Sequence, residues 1–318
     1  MKTENLEPKT FSRRPVNSPR PLPLRDQPAR PALTHVAIGV FDGFHRGHQQ
    51  VVARLIKDAA NPAATAIITF EPHPLEIIAP ERAPKRLTNA DQKRQLLLHA
   101  GVAEVITLAF DPTTRELSAE AFLNELLRVI PHLRAIGMGP NWSFGKNRQG
   151  NAELLTAVGK QKGFSVHEVP PLLIEGQIAS STRIREAIAE RDFPLAALLL
   201  GRPYAIAGRV IRGDGRGRTI GFPTANLGDI TQMLPPSGVY ACTARLADRT
   251  ARAVLNIGTR PTVNAGFSVE AHLLDFTGNL YEQPLELADF HFLREEKKFD
   301  SLDALKNQIA QDIVTAKG

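Results

Sequence analysis

The hydrophobic texture of the chain changes once, near Gly201. Upstream, short apolar strands at 35–40, 65–70, 105–110 and 135–138 alternate with helix-like stretches at 48–60, 91–100 and 119–130. That alternation predicts an α/β domain built on a parallel sheet. Downstream, strand patterns follow one another at 204–211, 238–246, 251–257, 268–276 and 285–293, separated by Gly, Pro and Asn turns. They predict a small antiparallel β-barrel. Leu302, Leu305, Ile309 and Ile313 then recur at helical spacing, as in an amphipathic C-terminal helix lying on the barrel as a lid. A chain of 318 residues is long enough for two cores at roughly 100–200 residues per domain. The expected organisation is a tail over 1–32, a first domain over 33–200 and a second over 201–318.

The formal charge of +6 suggests nucleic acid until it is located. Residues 1–31 hold Lys2, Lys9, Arg13, Arg14, Arg20, Arg25 and Arg30 against Glu4, Glu7 and Asp26, a net +4 that leaves only +2 for the body. The same stretch carries seven prolines and little apolar periodicity, so 1–32 reads as disordered or polyproline-like. It has neither the apolar core of a secretory signal nor, with its acids and prolines, the helix of a mitochondrial transit peptide. The longest apolar run, 195–200, is far short of the ~18–20 residues that span a bilayer. The single cysteine, Cys242, allows no internal disulfide and reads as a buried thiol. These features fit a cytoplasmic protein without nucleic-acid or membrane partners, and a monomer or weak homo-oligomer is expected.

The strongest chemical signal is Gly39-Val40-Phe41-Asp42-Gly43-Phe44-His45-Arg46-Gly47-His48, where the first strand gives way to a helix. Two histidines three apart at a helix N-terminus share a face and can address an anion already favoured by free N–H groups and the helix dipole. Gly43 and Gly47 allow close approach, and donors aimed at phosphoryl charge stabilise a transition state without a covalent intermediate. Zinc would require further His or Cys ligands at suitable spacing. Gly139–Lys146 has the wrong glycine spacing for a P-loop and Asn147 where Ser or Thr is needed.

A second cluster, Ser180-Ser181-Thr182-Arg183-Ile184-Arg185, opens a helix; its hydroxyls and arginines suit either capping or phosphate binding. A third segment, 217–226, includes Arg218, Gly221, Pro223, Thr224 and Asn226 and reads as a turn whose short polar side chains could ligate Mg²⁺ or phosphate. Glu270 lies mid-strand on the face shared with His272, either at the barrel rim or kept for chemistry. A carboxylate there could serve as the general base that a kinase needs.

The His-x-Gly-His segment resembles the signature of nucleotidyltransferases, and Pro223-Thr224-Ala225-Asn226 resembles the PTAN motif of riboflavin kinases. Together they make residues 35–318 similar to bacterial bifunctional riboflavin kinase/FAD synthetases. The match extends through Thr69–Pro74, Leu200–Tyr204, 256–262 and 293–299. The resemblance implies a Rossmann-like nucleotidyltransferase domain followed by a kinase barrel, with riboflavin, FMN and ATP as substrates and Mg²⁺ as cofactor. It implies that His45 and His48 hold phosphates, with Gly39, Phe41, Asp42, Gly43, Gly47, Ser180, Ser181, Thr182 and Arg185 completing the adenylylation site. In the kinase site it makes Glu270 the base, gives Mg-ATP to Thr224 and Asn226 beside Arg218 and Gly221, and leaves Arg294 a secondary contact. Asn141-Trp142-Ser143-Phe144-Gly145 replaces the family's Asp-Phe-Arg-Phe-Gly; Asn141 matches a polar ligand position, and Trp142 or Phe144 is expected to stack on the flavin.

Overall fold

A computed structural model describes residues 20–140, 142–213, 215–259 and 267–317. They form two compact units, one taking in the residues up to Pro84 with Ala90–Ser181, the other Lys85–Asn89 with the chain from Thr182 onward. In the first, β1 (His35–Ile38), β2 (Thr65–Glu71), β3 (Glu104–Ala109), β4 (Ala135–Met138) and β5 (Ser165–Glu168) form a parallel sheet ordered β3-β2-β1-β4-β5. Val36, Ile38 and Ile68 pack on one face with Phe122 and Leu126, while Ala37 and Ile67 pack on the other with Val51 and Leu55. Burial on both faces explains the unbroken apolar runs of the central strands. Strand order reverses between β1 and β4, where ligands bind at the carboxyl ends of such sheets. β5 escaped the sequence reading because its Ser-Val-His-Glu is an edge strand with no apolar run. A short hairpin of β6 (Leu173–Ile174) and β7 (Gln177–Ile178) completes the unit.

In the second unit β8 (Ala205–Ile211), β9 (Ala225–Gly228), β10 (Gly238–Arg245), β11 (Thr250–Thr259), β12 (Phe267–Leu273) and β13 (Pro284–Arg294) close an antiparallel barrel ordered β10-β11-β12-β9-β8-β13. The sequence predicted five of these strands. The sixth, β9, lies in the segment read as a turn; it is held by pairing with β8 and β12 and not by its own propensity. Phe193, on the helix Phe193–Leu200, packs against Tyr240 and Phe290 of the barrel, which places 182–200 in this unit. The closing helix is Leu302–Lys317; Ile313 and Ala316 pack on Val239, Ala241 and Val254. Leu302 departs from the predicted apolar face and is 52% exposed. Cys242 is fully buried in β10, and burial pushes its thiol up to about 12.

Residues 1–19 lie outside the described residues. Over 20–32 the expected disorder is corrected: Leu24 is 1% exposed in the core cluster beside Phe122 and Leu126. Leu22 bridges Leu108, and the Ala109 N–H donates to the Leu22 carbonyl, so the segment covers edge strand β3. Arg128 donates to the carbonyls of Leu24, Arg25 and Gln27, and Arg30 pairs with Glu104 at 2.6 Å. Prolines did not preclude order here because the segment adds to its own short turn at Leu24–Asp26 a set of bonds to the body of the fold.

Candidate active sites

The turn leaving β1 is strained. Phe41, Gly43 and Phe44 all have left-handed φ (52°, 75° and 40°), costing on the order of 1–3 kcal/mol for each non-glycine. Three side chains hold it: Thr69 Oγ1 donates to the Val40 carbonyl (3.0 Å), Gln49 Nε2 to Phe44 O (3.0 Å) and Ser181 Oγ to Asp42 O (2.9 Å). The turn delivers His45 as the N-cap of the helix Arg46–Ala59, its Nδ1 accepting from the His48 N–H at 3.4 Å. The two imidazoles stack with centroids 3.7 Å apart, and Phe41 meets His48 edge-on. Gly47 serves space: a Cβ there would lie 3.1 Å from the His45 ring and 3.5 Å from the Ala179 carbonyl. At Gly39 a Cβ would press on the Phe41 ring at 3.2 Å.

His48 is half-buried, and its Nδ1, itself shut off from solvent, has no hydrogen-bond partner. Burial first, then the charges of His45 and Lys93, push its pKa well below the ordinary 6.5. At neutral pH the ring is therefore uncharged, with a nitrogen left for a ligand. A buried orphan at a helix N-terminus fits a phosphate oxygen.

In the barrel, register places Glu270 of β12 directly opposite Asn226 of β9 and Asn256 of β11, so the three share a face. Ser268 Oγ donates to Glu270 Oε1 (2.8 Å) and Thr224 Oγ1 to Oε2 (3.4 Å). Gly213 and Gly217 are space requirements: a Cβ would strike the Asn226 amide at the first and the Phe222 carbonyl at the second. Glu270 opens on a cavity of about 340 Å³ with Thr224, His272, Phe222, Val254 and Ile309 in its wall. Thr224, Asn226 and Glu270 offer hard oxygens, the donor set that suits Mg²⁺ held partly by substrate phosphates.

Residues 27–183 match the FAD synthetase family model and residues 200–318 the riboflavin kinase model. The chain is 42% identical over 285 residues to the bifunctional riboflavin kinase/FMN adenylyltransferase of Haemophilus influenzae, covering 89% of this chain and 92% of that protein. The chain belongs to the bifunctional riboflavin kinase/FMN adenylyltransferase family. The Escherichia coli member is 40% identical over 288 residues, covering 89% and 91%. A crystal structure described as a macrolide-efflux protein from Streptococcus pneumoniae superposes with a TM-score of 0.79 at 28% identity, over 94% of this chain and 98% of that one.

In the FAD synthetase half, the structure brings His45, His48, Asp42, Gly43, Gly47 and Ser181 together at the turn after β1, with Ser180 half-buried beside Ser181. Thr182 is exposed, and Arg185 Nε donates to the Lys85 carbonyl at 2.6 Å within the second compact unit. Asn141 lies outside the described residues. Phe144 is corrected from flavin contact to core: it is 6% exposed, packs on Phe122, and its ring leaves no room for a Cβ on Gly150. Trp142 stacks on Phe144 with centroids 4.9 Å apart. Sequence reasoning missed Lys93, a 7%-exposed lysine whose Nζ donates to Phe70 O at 3.1 Å and lies 3.6 Å from Glu71 Oε2. Its signal was faint, a lysine between Gln92 and Gln95, which are also buried.

In the riboflavin kinase half, Thr224 reaches Glu270 through its hydroxyl and Asn226 stands opposite Glu270 in the ladder. Arg218 is exposed on the turn Arg216–Thr219, and Gly221 follows it at φ 93°. Arg294 lines the cavity, but its guanidinium is bound by Asp312 through Nε and Nη2, the shortest contact being 2.7 Å. Gln308 donates to the same carboxylate, so Arg294 ties the C-terminal helix to the barrel mouth.

Proposed function

We propose that this family member makes FAD in two steps, each at one of the sites described. In the barrel, Glu270 accepts the proton of the riboflavin 5′-hydroxyl as its oxygen bonds to the γ-phosphorus of ATP and ADP leaves. Thr224 and Asn226 orient Mg-ATP, and the cavity's mixed wall suits a flat heterocycle carrying a hydroxylated chain. Bound Mg²⁺ would neutralise phosphate charge there. In the α/β unit an FMN phosphate oxygen attacks the α-phosphorus of a second ATP and pyrophosphate leaves. His45, His48 and the N–H groups at the helix start stabilise the charge that develops. Ser180 and Ser181 are assigned to the same ATP.

The observation that carries this reading is the convergence of Thr224 and Ser268 on the Glu270 carboxylate, with Asn226 opposite in the ladder. The division of labour near Gly201 is part of it, as are cytoplasmic action and a monomeric or weakly associating state without nucleic-acid or membrane partners. Among the described residues, no helix is long and apolar enough to cross a membrane. Incubation with riboflavin, ATP and Mg²⁺, resolving flavins by chromatography, should show FMN and then FAD, with both lost on chelation. Absence of any flavin product overturns the reading.

A further inference from the structure

We propose that His272 is a positioning residue, holding the ATP-binding turn in place against Glu270; this rests on the kinase-site assignment above. The pairing of β9 with β12 ends at Ala225↔Ala271, and no ladder pair joins Thr224 to His272. At the point where the strands part, the His272 side chain takes over: its Nδ1 lies 2.7 Å from the Pro223 carbonyl. A carbonyl only accepts, so Nδ1 carries the hydrogen, and the bond fixes the ring's tautomer and orientation. Phe222 meets the ring edge-on with centroids 5.9 Å apart, and the Phe222 N–H donates to Gly217 O at 2.8 Å. The turn is thus pinned on one side by Gly217 and on the other by a residue two places along β12 from the base, in the wall of the same cavity.

The bond sits one residue before Thr224, whose hydroxyl reaches Glu270 Oε2. Freed from it, the turn can shift relative to Glu270 while the barrel stays closed. The cost falls on Mg-ATP placement before it falls on folding.

The test is initial-rate kinetics of FMN formation in the full chain, varying Mg-ATP and riboflavin separately. His272→Leu should raise KM for Mg-ATP about tenfold, the upper end for one neutral hydrogen bond, with kcat within about threefold and KM for riboflavin unchanged. His272→Asn places an amide N–H near the lost Nδ1 and should restore KM to within about threefold. FAD formation from supplied FMN should be unaffected in both, and a kcat for FMN formation near that of the unsubstituted chain reports an intact barrel. An unchanged KM for Mg-ATP in His272→Leu overturns the proposal, as does His272→Asn being equally impaired. Thr224→Ala separates the two layers: if it leaves KM for Mg-ATP unchanged, the ATP-site assignment falls and this proposal with it.

Discussion

The rings of His45 and His48 stack 3.7 Å apart with 21° between their planes, so a proton on one raises the cost of a proton on the other. Desolvation first, then the neighbouring His45 and Lys93, hold His48 toward neutrality. A neutral imidazole still donates one N–H to a phosphate oxygen and, unlike a cation, does not grip the pyrophosphate product as tightly.

His48→Ala should lower FAD formation by about 100- to 1000-fold, the usual loss for one preorganised donor to a transition state. FMN formation should stay within about twofold. Glu270→Gln should do the reverse. Measured on one preparation with riboflavin and then FMN as substrate, loss of both activities in either folded variant would contradict the two-site assignment.

Burial of neutral His48 also makes stability depend on pH. Its folded pKa lies below the unfolded value near 6.5, so the unfolded chain takes up the proton first. The contribution is complete above about pH 6.5 and is lost as pH falls, with a slope approaching ~1.4 kcal/mol per pH unit. His48→Gln should flatten that slope between pH 7.5 and 5.5 in urea denaturation. His35, also lowered by burial, contributes equally to both proteins and cancels in the comparison. Parallel stability curves for the two would rule the mechanism out.

Lys93 should matter in two ways. Lys93→Met leaves the Phe70 carbonyl and Glu71 without the ammonium that both now face, and removes a charge that depresses His48. FAD formation should fall about tenfold, and the acid limb of its pH–rate profile should move to higher pH because His48 then protonates more readily. Lys93→Arg should keep the limb in place. The decisive measurement is the profile with saturating FMN; an unmoved limb in Lys93→Met would show that the lysine acts through packing alone.

What was legible in the sequence was periodic or local. The parallel strands β1 to β4, most barrel strands, the closing helix and the His45/His48 cradle each leave a repeating apolar pattern or a motif within ten residues. β9 left none, because Ala-Asn-Leu-Gly becomes a strand only when β8 and β12 pair with it. Lys93 and His272 were missed because their roles rest on contacts with Glu71 and Pro223, 22 and 49 positions away in the chain. Composition misled at 20–32, where prolines hid a segment that the guanidinium of Arg128 binds from more than a hundred residues away.

That segment gives the last prediction. Removing residues 1–19 keeps residues 20–317 and every contact described for them, and serves as the reference truncation. Removal through Pro31 deletes Leu24 from the core, strips β3 of its edge cover, leaves the Arg128 guanidinium only Glu125 of its partners described here and takes Arg30 from Glu104. The longer truncation should destabilise the α/β unit and lower FAD formation at 37 °C while FMN formation persists. Leu24→Ala isolates the core term and should cost about 2–5 kcal/mol, as for a fully buried leucine. Denaturation curves for the two truncations and the point variant decide the matter. Equal stability of both truncations would return the segment to the status of a dispensable tail.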